Sequence, residues 1–452
     1  MGVYKKFFDC KIFICYNHTM DQEIKELIEK EERRQEVTLM MIPSENHTSL
    51  SVRSAVGSLL QDKYCEGYPY KRYYQGQENF DKIEELCIER AKQIFNVPFC
   101  NVQALSGAPA NTAVYFALLK PGDKMMGLRL DQGGHISHGL EVNFSGRFFE
   151  NIFYHVTKEG KIDYDAMEEL ALKERPDLII AGITAFPLKL DFERFGNIAE
   201  KCGALLMADI SHVAGLVLGK QYPDPVPYCH IITTTTHKTL RGPRGALIMV
   251  TDKGLKRDSE MPDKINKAVF PGLQGGPHEN NIAGIAVALK EAENIKEYAQ
   301  RVVLNASVLA KELKNNGILL CSNGTETHLI LIDLTNFKVL GNTVAEALEE
   351  AGIIVNRNAI PYDPNPPFYP SGVRLGTPAI TTRGMGTKEM EKIASFIARI
   401  IKDVSLNRTE YDEKKKKQRQ LIIEKSHEVM KVKEEVKNLC TLFPLKSHET
   451  IS

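Results

Sequence analysis

The sequence predicts an α/β fold with a mostly parallel central sheet flanked by helices and a smaller α+β C-terminal domain. Short apolar runs alternate with amphipathic stretches between residues 178 and 250, as in parallel strands that are joined by crossover helices. Beyond about residue 300, helical patterns flank one further strand pattern. A chain of 452 residues is also long enough to divide into two or more domains.

Hydrophobic periodicity and the residues that interrupt it place the individual elements. We expect an N-terminal arm and helix over 1–50, a large domain over 51–300 and a small C-terminal domain over 301–452. The charged tail beyond residue 408, with consecutive lysines at 414–417, predicts a solvated helix face. The predicted helices are 21–34, 192–202, 302–314 and 343–351, and the predicted strands are 178–182, 204–210, 230–236, 246–250 and 328–333.

Composition argues against several classes of protein. Hydrophobic residues make up 43% of the chain and charged residues 26%, as in ordinary globular domains. The 58 basic residues balance 58 acidic residues, which argues against binding of nucleic acid or anionic membranes through bulk charge. No apolar run approaches the roughly 20 residues that a membrane span needs. We therefore expect no membrane and no nucleic-acid partner.

The cysteines and the first residues bear on the cellular compartment. The nine cysteines are scattered, without a CxxC pair or a Cys/His cluster at zinc spacing, so we expect free thiols and no metal site. The first twenty residues carry Lys5, Lys6 and Lys11 but only one acid, Asp9. Two interpretations stay open, an acid-poor organelle transit segment or a disordered or docking arm, and the expected compartment is the cytoplasm or the mitochondrion.

Two reactive side chains fall at the carboxyl ends of different predicted strands. Lys238 follows a run of threonines, and Asp209 lies near the end of the apolar run over 204–210. Ligands of open α/β sheets bind beyond such strand ends, so these two groups can meet at one edge. A desolvated lysine has a lowered pKa and attacks carbonyl compounds. Alone, either residue would more often be a surface lysine or a turn aspartate.

Glycine-rich and arginine-containing segments indicate an anionic ligand. Arg241 and Arg244 alternate with glycines directly after Lys238, which suits close approach of the backbone to an anion. The segment 105–111 precedes a helical pattern, so its amides could bind a phosphate at the helix start. Arg374 stands in an otherwise apolar segment, which implies a carboxylate partner. Glycine clusters usually form only turns, so each segment by itself is weak evidence.

Together these motifs resemble one family closely. The chain is similar to serine hydroxymethyltransferases at IPSEN (42–46), KYCEGYP (63–69), GGH (133–135), ADISH (208–212), TTTTHKTLRGPRG (233–245), FPGLQGGP (270–277) and RLGTP (374–378). The motifs occur in the family order over nearly the whole chain, and the threonine–histidine–lysine segment is highly specific. The resemblance implies the fold of the fold-type I pyridoxal-phosphate transferases. The residues alone imply only an α/β protein with an anionic cofactor.

The resemblance also implies roles for individual residues around pyridoxal 5'-phosphate. Lys238 would hold the cofactor as a Schiff base, Asp209 would pair with its pyridinium nitrogen, and His135 would stack on its ring. Further cofactor contacts within the same chain would come from Ser106, Gly107, Ala108, Thr184, His212 and His237. Thr235 would assist Schiff-base exchange. A neighbouring subunit would contribute Tyr64, Gly275 and Gly276. Substrate contacts would come from Ser44, Tyr64, Glu66, Tyr73, Leu130, Asn358 and Arg374, with Arg374 on the amino-acid carboxylate and Glu66 in acid–base catalysis.

The implied reaction is the reversible conversion of L-serine and tetrahydrofolate to glycine and 5,10-methylenetetrahydrofolate. It implies a homodimer or homotetramer with shared active sites. Two alternatives stay open here: a folate-independent enzyme of the same fold, such as an aldolase, and a non-catalytic regulatory paralogue. The aromatic and acidic loop over 63–74 argues against the first, and the intact Lys238, Asp209 and Arg374 argue against the second.

Several positions depart from the family pattern. Ala108 replaces a usual serine, and the lost hydroxyl would weaken cofactor binding by about 0.5–1.5 kcal/mol. Tyr70 and Gln75 replace glycines, where side chains could crowd the folate edge. Gln132 stands where a histidine is frequent, and 186–188 reads FPL instead of Tyr-Pro-Arg. Every residue assigned to bond breaking is present, so we expect activity with altered cofactor or folate affinity.

Overall fold

The computed structural model describes residues 20–445. The predicted N-terminal arm with its three lysines lies outside these residues, so both interpretations of it stay open. Within the described range, no helix combines the length and the apolar character that crossing a membrane requires. All seven cysteines of this range are free thiols, which confirms the prediction for these seven.

Strands and helices alternate along most of the chain. The strands are β1 Leu39–Met40, β2 Gly67–Tyr68, β3 Lys71–Arg72, β4 Phe99–Asn101, β5 Lys124–Leu128, β6 Glu150–Tyr154, β7 Leu178–Gly182, β8 Leu205–Asp209, β9 Ile231–Thr235, β10 Ala246–Val250, β11 Leu319–Leu320, β12 Leu329–Asp333, β13 Ile353–Ile354, β14 Asn356–Asn358 and β15 Gly372–Gly376. The α-helices are Gln22–Glu36, Leu50–Val56, Glu78–Phe95, Gly107–Leu118, Phe144–Phe148, Tyr164–Glu174, Phe192–Cys202, Ala214–Leu218, Asp252–Arg257, Met261–Lys267, Glu279–Glu291, Lys296–Asn315, Gly341–Glu350, Pro378–Thr382, Thr387–Asn407, Lys416–Glu424 and His427–Leu442.

The largest sheet has seven strands in the order β4–β10–β9–β8–β7–β5–β6. Neighbouring strands from β9 to β6 run parallel, whereas β10 is antiparallel to both β9 and β4. This topology confirms the predicted α/β fold with a mostly parallel sheet. The carboxyl ends of β5, β7, β8 and β9 consequently lie at one edge, where ligands of such sheets bind.

Helices cover both faces of this sheet. In β7, Ile179 and Ala181 belong to one apolar core, whereas Leu178 and Ile180 belong to the core on the opposite face. The helix Phe192–Cys202 packs in the first core, and the helix Gly107–Leu118 packs in the second. Because both faces are buried, the strand is an uninterrupted apolar run in the sequence.

A second domain core is built mainly from the C-terminal part of the chain. The helix Lys296–Asn315 connects the two cores, since Val302 packs in the first and Leu309 in the second. The second core surrounds a four-stranded antiparallel sheet in the order β11–β12–β15–β14. Leu39 joins the same core because β1 pairs in parallel with β13. The N-terminal strand is therefore tied to the small domain.

The predicted elements agree with the structure to different degrees. The strands over 178–182 and 246–250 and the helix over 192–202 have the predicted bounds, while the other predicted elements occur with shifted ends. The lysines at 414–417 are exposed as predicted. The tail nevertheless forms two helices, because Ser426 caps a new helix by accepting a hydrogen bond from Val429 N. This last helix also buries Val429, Val432 and Val436, so it is more than a solvated face.

Candidate active site

A cavity of about 380 Å³ lies at the carboxyl ends of β7, β8 and β9, next to the small domain. Its walls contain Glu45, Ile136, Ile183, Ser211 and Arg244. They also contain twelve of the residues that the sequence assigned to the site: Ser44, Ser106, Gly107, Ala108, His135, Thr184, Asp209, His212, Thr235, His237, Lys238 and Arg374. The volume falls in the range of small-molecule sites.

Lys238 provides a buried amine at this cavity. It follows β9, and Asn46 Nδ2 donates to its backbone carbonyl over 3.0 Å. Burial lowers the pKa of Lys238 to about 8, although the charge of Asp209 acts in the opposite direction. A substantial fraction of the amine is therefore neutral near pH 7 to 8, which is the nucleophilic form.

Asp209, the last residue of β8, supplies a buried negative charge. Its Oδ2 accepts hydrogen bonds from Asn111 Nδ2 over 2.9 Å and from His138 Nε2 over 3.0 Å, and its Oδ1 accepts from Ser211 N over 3.0 Å. Burial alone would favour the neutral acid, but the hydrogen bond and charge of His138 outweigh it and hold the pKa of Asp209 well below its usual range. Asp209 is thus an ionised carboxylate that can hold a cationic N–H.

A side-chain network joins Asp209 to His135. Asn111 Nδ2 also donates to Ser137 Oγ over 2.9 Å, and Ser137 Oγ lies 2.7 Å from His135 Nδ1. Thr233 Oγ1 donates to Asn111 Oδ1 over 2.7 Å. The ligand atoms of His135, His138 and Asp209 lie within 4.8 Å of one another, and these hydrogen bonds account for that spacing without a metal ion.

Asn111, Ser137 and His138 have no role that the sequence alone predicts. The available signal for His138 was its position three residues after His135 in the HISH segment. Asn111 lies inside a helix, where the sequence does not reveal that its side chain faces the sheet edge. Both act through their contacts with Asp209 and His135, which only the tertiary structure displays.

The start of the helix Gly107–Leu118 offers an anion-binding end to the cavity. Ser106 is the N-cap residue but makes no side-chain capping bond, so the first-turn amides stay available to an anion. A Cβ on Gly107 would lie 2.7 Å from Thr235 Cγ2, and glycine therefore permits this close approach. Arg244 Nη1 lies 3.4 Å from His237 Nε2, which adds a cationic group at the same cavity.

Arg374, in β15, brings a guanidinium to the cavity. Its Nε donates to Asn356 Oδ1 over 3.0 Å and its Nη1 donates to the Thr184 carbonyl over 2.7 Å. Burial lowers the pKa of Arg374 to about 10, so it remains protonated at neutral pH. Its Nη2 makes no hydrogen bond to any residue in the range 20–445. This leaves the outer edge of the fork available for a carboxylate.

Three polar atoms around the cavity are buried and have no partner among the described residues: Thr184 Oγ1, His212 Nδ1 and His237 Nδ1. Burial lowers the pKa of His237 to about 3 and places that of His212 well below its usual value, so both rings are neutral. Buried polar atoms normally have hydrogen-bond partners. These orphaned atoms indicate that the cavity is shaped for a polar ligand.

Seven of the predicted site residues do not line this cavity: Tyr64, Glu66, Tyr73, Leu130, Gly275, Gly276 and Asn358. Four of them form a separate cluster. A Cβ on Gly275 would lie 3.4 Å from Glu66 Oε1, and a Cβ on Gly276 would lie 3.0 Å from Tyr64 Cδ1. Tyr64 is 65% exposed and Tyr73 is 69% exposed, so this part of the predicted site faces outward within a single chain.

Three of the positions that depart from the family pattern have structural partners of their own. Tyr70 adopts a positive φ of 62°, and its hydroxyl donates to Glu85 Oε2 over 2.8 Å. It therefore points to the helix Glu78–Phe95. Gln132 is buried and accepts a hydrogen bond from Val156 N over 2.9 Å, and Phe186 packs in the large-domain core.

Comparison with known proteins places the chain in a family. The family model described as serine hydroxymethyltransferase matches residues 17–397. A serine hydroxymethyltransferase of Acidothermus cellulolyticus is 52% identical over 380 residues, which cover 83% of this chain and 87% of that protein. One from Nostoc punctiforme is 51% identical, with 84% and 88% covered, and one from Desulfotalea psychrophila is 46% identical, with 96% of both chains covered. The chain therefore belongs to the serine hydroxymethyltransferase family.

Proposed function

We propose that this protein converts L-serine and tetrahydrofolate to glycine and 5,10-methylenetetrahydrofolate, reversibly and with pyridoxal 5'-phosphate as cofactor. The observation that carries the proposal is one cavity with a buried amine, an ionised carboxylate and a guanidinium, on Lys238, Asp209 and Arg374. Family membership supplies the reaction class, since serine hydroxymethyltransferases are pyridoxal-phosphate enzymes.

The residues around the cavity fit this cofactor. The amides after Ser106 and the guanidinium of Arg244 suit a phosphate, and the carboxylate of Asp209 suits a protonated ring nitrogen. Thr184 Oγ1 and His212 Nδ1, both buried and without partners in the part of the chain that the structure describes, suit the polar substituents of the ring. Ala108 supplies a backbone amide but lacks the hydroxyl of the usual serine, so we expect somewhat weaker phosphate binding.

Several residues would hold and orient the cofactor. Pyridoxal phosphate, when bound, supplies an electron-withdrawing ring that stabilises negative charge at the substrate α-carbon. Asp209 would keep the ring nitrogen protonated, and His135, held by Ser137, would lie against the ring. Lys238 would be the covalent attachment point, and Thr235 would assist when the substrate amine replaces it. His237 would contact the phosphate.

The substrate end would be governed by Arg374 and Glu66. Arg374 Nη2 would bind the amino-acid carboxylate together with Ser44, and a fixed carboxylate determines which bond at the α-carbon is oriented for cleavage. Glu66 would move a proton at the serine hydroxyl. Tyr73, Leu130 and Asn358 would border the folate.

A second copy of the chain would complete each site. Tyr64, Glu66, Gly275 and Gly276 lie together outside the cavity of their own chain, and the exposed Tyr64 and Tyr73 form part of an aromatic surface. We propose a homodimer, or a dimer of such dimers, in which this surface faces the cavity of the partner. Sedimentation of the purified protein under assay conditions should show a dimer or tetramer and no monomer.

The proposal is tested by spectroscopy and turnover on the purified protein. We expect a visible absorbance band from the lysine-bound cofactor, which shifts to long wavelength when glycine and tetrahydrofolate are both present. Lys238→Ala should lose the band and serine conversion, whereas Lys256→Ala, an exposed lysine, should keep both. A band that never shifts would favour a folate-independent enzyme of the same fold. A protein that binds no pyridoxal phosphate would refute the proposal in favour of a regulatory role.

A further inference from the structure

A buried cluster of charged groups lies behind the loop that carries Glu66. Arg72 Nε is 2.9 Å from Asp81 Oδ1, its Nη2 is 2.7 Å from Glu84 Oε2, and its Nη1 is 3.5 Å from Glu279 Oε1. The arginine side chain is 2% exposed, and those of Glu84 and Glu279 are 1% and 0% exposed. One cation thus faces three carboxyl groups in the protein interior.

The surrounding groups do not balance this excess of acid. Burial raises the pKa values of the neighbouring Cys65, Tyr68 and Cys87, so these groups are neutral. Two further cations lie nearby, but neither forms an ion pair with Asp81, Glu84 or Glu279 among the described residues. Arg90 donates to the carbonyl of Ala286, and Lys63 lies beside Gly76. Because an uncompensated buried charge is costly, one carboxyl group of the cluster is expected to hold a proton.

Glu279 is the carboxyl group that fits this condition. No N–H or hydroxyl group within residues 20–445 donates to either oxygen of Glu279. Its carboxyl group instead lies against that of Glu84, where only a protonated carboxyl could form a hydrogen bond between the two. Two carboxylates cannot form such a bond, but a carboxylic acid can donate to a carboxylate. Burial, and then the charge of Glu84, raises the pKa of Glu279 to about 9.

Arg72 connects this proton to the proposed site. Its Nη1 donates to the carbonyl of Cys65 over 2.7 Å and to that of Gly67 over 3.1 Å. These are the two carbonyls on either side of Glu66. The same Nη1 faces Glu279, so an ionised Glu279 would draw it away from the Glu66 loop. Glu279 also begins the helix that follows the Gly275 and Gly276 loop, which touches Glu66 and Tyr64.

We propose that Glu279 is a positioning residue that acts as a neutral carboxylic acid. Its proton is shared with Glu84, and this leaves Arg72 free to hold the carbonyls that flank Glu66. Loss of the proton adds a second negative charge to the buried cluster and displaces the Glu66 loop. The inference rests on the proposed function through the role of Glu66, but the protonation of Glu279 is measurable without turnover.

The first test compares pH profiles of the holoenzyme. Glu279→Gln keeps the size and neutrality of the acid, so we expect nearly unchanged kcat/KM at pH 7.5. Between pH 8 and 10 the wild type should lose about tenfold more kcat/KM than the variant, as one group near pH 9 ionises. The other titrating groups of the site are the same in both proteins, so the ratio of the two profiles isolates Glu279. The matched control is Glu293→Gln, an exposed acid, which should follow the wild type.

The second test uses hydrogen exchange on the wild-type holoenzyme and stands even if Glu279→Gln fails to fold. Protection of amides 63–76, corrected for intrinsic rates, should fall selectively above about pH 9, while protection of β8 should persist. Parallel pH profiles of wild type and Glu279→Gln, or equal loss of protection in both segments, would overturn the inference. Absence of serine conversion at every pH would instead count against the proposed function, and the exchange experiment would still decide the role of Glu279.

Discussion

Replacing Lys238 by methionine should stabilise the cofactor-free protein while it abolishes activity. The lysine is almost completely buried, and burial lowers the pKa of its amine from 10.5 to about 8. At neutral pH the folded protein must either bury the charged ammonium of Lys238 or release its proton. Either event costs free energy that the unfolded chain does not incur. Methionine has a similar length and no charge, so it removes this cost.

The magnitude follows from the two pKa values. A difference between 10.5 and about 8 corresponds to about 3 kcal/mol of unfolding free energy. Because the folded pKa is lowered, the unfolded chain binds more protons between pH 8 and 10.5, and wild-type stability rises with pH in this window. Relative to Lys238→Met, the wild type should regain about 1.4 kcal/mol per pH unit there. Below pH 8 the difference should be constant.

Denaturant unfolding of the cofactor-free chains at several pH values measures this difference. Each protein must be followed at equal concentration, because the proposed dimer links stability to association. Lys256→Met, an exposed lysine, serves as the control and should match the wild type at every pH. Equal stabilities of the wild type and Lys238→Met at pH 7 would refute the reasoning, as would a stability difference that does not change between pH 8 and 10.

Two further substitutions test groups that support the site. Asn356→Ala removes the acceptor that fixes Arg374 Nε, so the KM for serine should rise about tenfold or more, whereas Arg357→Ala on the same strand should not change it. An unchanged KM would mean that Asn356 does not orient the arginine. His138→Leu removes one hydrogen bond from Asp209 and should therefore raise the pKa of that carboxyl group. The pH at which acid releases the cofactor should then rise by about one unit. Release at the same pH as in the wild type would contradict this role of His138.

The sequence predicted the central sheet well because its strands are buried on both faces. The run over 178–182 is uniformly apolar and lies between Pro176 and a helical pattern, so its bounds could be placed. The two-residue strand β13 and the polar strand β14 had no such signal. Asn356 and Arg357 form a strand because β14 pairs with β15, a tertiary contact that local preference does not encode.

The cavity was predictable for a different reason, since several of its residues break the burial rule. Arg374 stands in an otherwise apolar segment and Lys238 follows a predicted buried strand, where a charged side chain is costly and therefore a candidate for function. His138 and Asn111 carried no comparable mark. A histidine near another histidine and an asparagine in a helix are common, and their hydrogen bonds to Asp209 depend on how the helix packs against the sheet.

Glu279 shows most clearly what cannot be predicted from the sequence. The sequence gives Glu279 no distinguishing mark, and an acid in the first turn of a helix, which is its place in the helix Glu279–Glu291, is favourable and ordinary. The structure places it against Arg72 and Glu84 with no access to water, so the same residue becomes a neutral acid in the interior. Lys238 and Arg374 are likewise shifted toward their neutral forms by burial. Under these proposals, burial has two separate effects in this protein. It lowers the pKa of Lys238, which makes the amine nucleophilic. It also keeps Glu279 neutral, so that Arg72 continues to hold the two carbonyls that flank Glu66.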